Sequence, residues 1–156
     1  MTVITHPRLR SKLSKMIDSP GGVSVGVALA QARANIEARR GEAMAVVEIQ
    51  IAALEAVAPP ANLDEQAFRL NEAYHAANAV IDAASPFELL DLCSVASGLC
   101  DLIDGAPADQ TFDWRIVTVH ARSLRLLQTL PLEETEARAT VLDSLKMVAD
   151  RKLPKA

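Results

Sequence analysis

From residue 25 to residue 57 apolar side chains recur at steps of three, four and seven: Val25, Leu29, Ala32, Ile36, Ala43, Val47, Leu54 and Val57, with Gln50 in the same phase. That spacing lines one face of an α-helix. Ser24 is placed to cap it, and the phase passes Gly41 without slipping, although a mid-helix glycine costs about 1 kcal/mol relative to alanine. The pattern therefore predicts one long, heptad-like helix, roughly 50 Å if continuous. A seam of that length exceeds what a small bundle needs to cover itself, so a second subunit is expected to cover part of it.

Pro and Gly punctuate the rest of the chain at Ser19-Pro20-Gly21-Gly22, Pro59-Pro60, Ser85-Pro86, Gly105-Ala106-Pro107 and Leu130-Pro131. These marks divide it into about six helical segments. A first, basic amphipathic segment covers about Pro7 to Ile17. A third begins at Asn62, with Glu65 in capping position, and carries Ala67, Leu70, Tyr74, Ala77, Ile81 and Ala84 on one stripe. Ser85-Pro86-Phe87-Glu88 reads as a capping box opening a fourth, with Leu89, Leu92, Ala96, Leu99 and Ile103 inward and Gly105 as its stop. Thr111 or Asp113 caps a fifth, with Val117, His120, Leu124 and Leu127 along one line. Pro131 opens a sixth, with Val141, Leu145 and Val148 inward. Short connections make consecutive helices antiparallel, so the expected fold is an all-α, up-and-down helical bundle forming one domain over residues 1–156, with residues 1–22 as a basic N-terminal segment and turn and residues 152–156 as a frayed tail.

Composition supports helices over sheets. The chain holds 27 Ala and 19 Leu against three Phe, one Tyr and one Trp, and strands favour the aromatic and β-branched residues that are scarce here. Sixteen Lys+Arg against twenty Asp+Glu leave a net charge of −4, which disfavours a phosphate backbone, so nucleic acid is not an expected partner. No stretch approaches a membrane span, and the N-terminus lacks the apolar core of a signal peptide, so a cytoplasmic location is expected. Cys93 and Cys100 lie seven apart on one segment, about 10 Å along a helix and beyond disulfide reach, and read as free core thiols.

Candidate chemistry is sparse. His6, His75 and His120 are scattered and no CxxC occurs, so neither a metal site nor a cofactor is expected. The turn at 19–24 could offer backbone N–H groups to an anion but lacks the lysine and preceding strand of a nucleotide loop. The pairs Glu88/Asp91 and Asp101/Asp104 read as a solvated face. Alanine-rich seams can leave cavities for a small molecule, but no convergent polar groups point to one. His120 allows an alternative: a phosphoacceptor with Arg122 or Arg125 pairing phosphate oxygens, as in histidine phosphotransfer bundles. Those domains carry a lysine and then a glycine after the histidine where this chain has Ser123 and Leu124, and a histidine hydrogen-bonded at a bundle seam accounts for His120 equally. Phe112, Trp114 and Arg115 form a candidate partner-binding corner, since Trp and Arg are enriched in binding hot spots. They read equally as an N-terminal staple and core filler.

The segments Ser19-Pro20-Gly21-Gly22-Val23-Ser24-Val25-Gly26, Pro86-Phe87-Glu88-Leu89-Leu90-Asp91-Leu92-Cys93 and Phe112-Asp113-Trp114-Arg115-Ile116-Val117-Thr118-Val119-His120 resemble the CheE family of small proteins encoded with alphaproteobacterial chemotaxis genes. The resemblance implies a non-enzymatic accessory or adaptor protein in chemotaxis or two-component signalling, binding a receiver domain or a chemotaxis kinase component. It supplies no catalytic residues. The expected state is a homodimer through the long second helix.

Overall fold

A computed structural model describes residues 22–152 of the chain. The expected helix over Pro7 to Ile17, the first half of the Ser19–Ser24 turn and the tail beyond residue 152 lie outside the described residues. Helices account for 78% of what is described, with no strand among the described residues: α1 Val25–Glu37, α2 Arg40–Ala56, α3 Leu63–Ala84, α4 Leu90–Asp104, α5 Arg115–Thr129 and α6 Thr135–Lys152, with a 3-10 turn at Ser85–Phe87. The all-α bundle expected from the periodicity is the observed fold class. The chain divides into two compact units, Met1–Glu37 and Ala38–Ala156.

The long helix is interrupted. α1 ends at Glu37, and Arg39 (φ −97°, ψ 0°) stands outside helical geometry before α2 resumes at Arg40. The break falls where the apolar seam is emptiest: from Glu37 to Glu42 no large apolar side chain occurs, so no buried face opposes the entropic cost of Gly41. Arg39 and Glu42, both exposed, pair at 3.1 Å on the α2 side of the break. In α1 no residue is buried.

The second unit is a four-helix bundle with a fifth helix laid against it. α2 packs against α3, α3 against α4, α4 against α5, and α5 back against α2, closing a ring; α6 lies along α4 and α5. The side-chain pairings give the directions. Arg125 reaches Glu48 and Glu55, while the N-terminal end of α5 meets the C-terminal end of α2 around Trp114, Val117, Leu54 and Val57, so α2 and α5 are antiparallel. Asp91 at the start of α4 meets Arg138 near the start of α6, so these two run parallel. The core contains Val47, Ile51 and Leu54 of α2, Ala73, Ala77 and Val80 of α3, Leu92, Val95 and Leu99 of α4, and Val117, Leu124 and Leu127 of α5. α3 contributes chiefly alanines, which let its neighbours approach closely.

The helix ends sort into expectations met and expectations corrected. Asn62 Oδ1 accepts from the Glu65 N–H at 3.0 Å and Glu65 Oε2 accepts from the Ala61 N–H at 3.2 Å, a reciprocal cap as the sequence suggested. At α5 the N-cap position is Trp114, without a side-chain cap, although Asp113 Oδ1 just before it accepts the Arg115 N–H at 3.2 Å. The capping box at Ser85–Glu88 does not form. Ser85 is helical (φ −57°, ψ −42°) and its N–H bonds back to Ile81 O, so it closes α3 instead of opening α4. Glu88 then takes the left-handed conformation, φ 57°, which turns the chain, and α4 starts at Leu90. Pro131 likewise does not open α6. A residue before proline is pushed to extended backbone, and Leu130 is extended (φ −71°, ψ 132°). A turn closed by Glu134 N–H to Pro131 O at 3.2 Å follows, and α6 begins at Thr135.

Candidate functional site

Among the described residues three polar side chains are buried, Gln66, His120 and Arg138, and each stands in phase with an apolar stripe: Gln66 four residues before Leu70, His120 between Val117 and Leu124, Arg138 three before Val141. Burying a polar group is costly unless it finds partners. Each finds a backbone partner: Gln66 in a loop, Arg138 at a helix C-terminus and His120 on the preceding turn of its own helix.

Gln66 clamps the α4–α5 connection. Its Nε2 donates to Gln110 O at 2.9 Å and its Oε1 accepts from the Phe112 N–H at 2.8 Å. Phe112 is thereby held edge-on to Trp114, ring centres 6.4 Å apart at 78°, and both rings are half-buried against the core. Arg115 stays exposed, its Nε and Nη2 each 2.8 Å from a carboxylate oxygen of Asp113. The structure thus brings the proposed partner corner together as a rigid ledge in which the aromatics serve the core edge and the guanidinium faces water.

Arg138 closes the other end of the bundle. Its Nη1 donates to Leu127 O at 2.8 Å and to Leu130 O at 2.6 Å, two carbonyls at the C-terminus of α5, while Nε and Nη2 donate to Asp91 Oδ2. The ion pair therefore lies between the negative end of α5 and the positive end of α4, each charge at the helix terminus that favours it. Asp91, expected on a solvated face with Glu88, is instead half-buried under Arg138, while Glu88 is exposed. The signal was present in the sequence as a cation on the inward phase of an otherwise small and apolar stripe.

His120 is 1% exposed. Its Nδ1 lies 2.8 Å from Ile116 O; a carbonyl can only accept, so Nδ1 carries the proton and Nε2 presents a lone pair. Burial lowers its pKa, with the Ile116 carbonyl partly opposing, so the ring is neutral at pH 7. The phosphoacceptor alternative required an exposed histidine beside basic donors. Of those donors Arg122 is exposed, whereas Arg125 is committed to Glu48 at 2.5 Å and Glu55 at 2.8 Å. His75 is exposed on α3 and touches Tyr74 edge-on.

Both cysteines are free. Burial first, then Asp104 and Asp101, push the Cys100 thiol up to about 11, which suppresses the nucleophilic thiolate at neutral pH. No group of three or more His, Cys, Asp or Glu among the described residues could hold a metal ion. None of the helices among the described residues is long and apolar enough to cross a membrane.

No family model, curated protein or solved structure matches this chain. The functional reading therefore rests on the residues themselves.

Proposed function

We propose that the chain is a non-enzymatic helical interaction module that pairs with a second copy through α1 and serves as an accessory or adaptor protein in chemotaxis or two-component signalling. The observation that carries the pairing is α1 itself. Val25 is 70%, Leu29 55% and Ile36 44% exposed, all on one helical stripe with Ala32. Isolated helices of this length are marginal in water, and an apolar stripe on such a helix gains its stability from a partner face. Leu29, Ala32 and Ile36 repeat at the spacing of a coiled-coil seam, which a copy of the same helix fits. The signalling role is supported by the CheE-like segments, and the ledge of Phe112, Trp114 and Arg115 is the proposed contact for a receiver domain or kinase component.

Sedimentation of the full chain at micromolar concentration tests the pairing. The wild type should sediment as a dimer and Leu29→Glu with Ile36→Glu as a monomer that melts as the wild type does. A monomeric wild type would remove the pairing. Trp114→Ala with Arg115→Ala should weaken capture of purified receiver domains or kinase without altering the dimer, and unchanged capture would remove that corner from the contact.

A further inference from the structure

His120 is more than a seam residue, because its second nitrogen has somewhere to face. A cleft of about 350 Å³ runs between α4 and α6, within the range of about 300 to 1,000 Å³ that small-molecule sites occupy. His120 forms part of its lining, reached past Gly98. A side chain at position 98 would point at the ring: a β-carbon built there lies 3.9 Å from Nε2 and meets nothing else within 4 Å. Nε2 has no hydrogen-bond partner among the described residues, yet no fully enclosed side-chain nitrogen or oxygen among them is left unsatisfied. The nitrogen therefore meets the cleft, a lone pair on a side chain that is otherwise enclosed.

The lining specifies what would fill it. Val95, Leu142 and Ala149 contribute apolar wall, whereas Ser94, Ser97, Asp101, Asp143 and Lys146 are exposed at its mouth. A cation driven to the floor would leave the aqueous carboxylates for a single neutral acceptor, and an anion would meet the lone pair head-on. Only an uncharged donor is matched at both ends. We propose that the α4–α6 cleft binds a small uncharged molecule carrying one O–H or N–H donor on an apolar body, the donor bonded to His120 Nε2 and the body lying over Gly98. This site shares no residue with α1 or with the Phe112–Arg115 ledge, so its failure would leave the interaction reading untouched.

Phenol and toluene, alike in shape and different in the donor, are the probes, titrated into the full chain labelled with ¹⁵N and followed at the imidazole nitrogens. Phenol should move the His120 Nε2 resonance saturably, and toluene should bind at least about tenfold more weakly, the loss of roughly one hydrogen bond. Gly98→Leu, which fills the approach, should abolish the phenol response while melting no lower than wild type; Gly98→Ala should keep it. Absence of a saturable shift with phenol, equal binding of toluene, or a phenol response that survives in Gly98→Leu would each overturn the assignment.

Discussion

α1 and α5 both carry apolar residues at helical spacing, and they end in opposite circumstances. α5 buries Ile116, Val117, His120, Ala121, Leu124 and Leu127; α1 buries nothing. Both repeat apolar residues at helical spacing, but α5 gathers them on one face whereas α1 spreads them around the helix. The difference lies in what else is in phase. α5 carries long apolar side chains, and its flanks carry polar groups that find partners across the bundle: Arg125 to two carboxylates of α2, and its terminal carbonyls to Arg138. α1 offers alanine, valine and a few larger residues, and its neutral amides pair within one turn, Gln31 Nε2 donating to Asn35 Oδ1 at 3.0 Å. A stripe becomes core when neighbouring elements meet both its apolar face and the polar groups beside it.

The largest effect that would test this contrast is at Arg138. Arg138→Ala leaves Asp91 half-buried without its partner and two α5 carbonyls unpaired, and should cost about 3–5 kcal/mol, read by denaturant unfolding. A loss below about 1 kcal/mol would mean the pair does not anchor α5. Leu124→Ala, at a fully buried position, should cost about 2–5 kcal/mol, whereas Leu29→Ala should stay within about 0.5 kcal/mol under dilute, monomeric conditions. Similar losses from the two leucine substitutions would erase the distinction between the helices.

Acidification should strike α5 next. The folded pKa of His120 is lowered from its ordinary 6.5, so the unfolded chain binds its proton more readily than the folded one. Stability contributed by the neutral ring is complete above 6.5 and is lost as pH falls from there through the lower folded value. His120→Gln should flatten that part of the stability-against-pH curve, and an identical slope in the variant would show that His120 is not its source. The smallest effect concerns the interruption itself. A β-carbon at Gly41 meets nothing within 4 Å, so Gly41→Ala should add about 0.5–1 kcal/mol to α2 through helix propensity. A loss instead would show that the junction needs glycine's freedom.

Much of the architecture was legible from the chain. The stripe Val117, His120, Leu124 and Leu127 is buried throughout, and Asn62 with Glu65 caps α3 as their spacing suggested. Where the reading failed, a local signal was outweighed by a neighbour. Ser85-Pro86-Phe87-Glu88 has the composition of a cap, but Ser85 keeps helical geometry as the C-cap of α3. The even phase from Ile36 to Ala43 suggested one helix, but phase says nothing about whether the turn between has a face to bury. Ile51 was missed beside Gln50 because adjacent positions share the rim of a helical face, and only packing against α3 and α5 decides which turns inward.

By itself, the sequence determined the helical class, the order of the elements and most of the core, because apolar spacing and Pro or Gly punctuation act within a few residues. It placed His120 on an inward line and held, unrecognised, Gln66 and Arg138 on inward phases of their own. What those residues do was decided only in three dimensions. Gln66 satisfies a loop 44 residues away, Arg138 ties helix ends from two different segments, and His120 turns a lone pair toward a glycine on another helix. Hydrogen bonds and ion pairs need atoms within about 3 Å, and no spacing along the chain specifies which distant backbone group will be there.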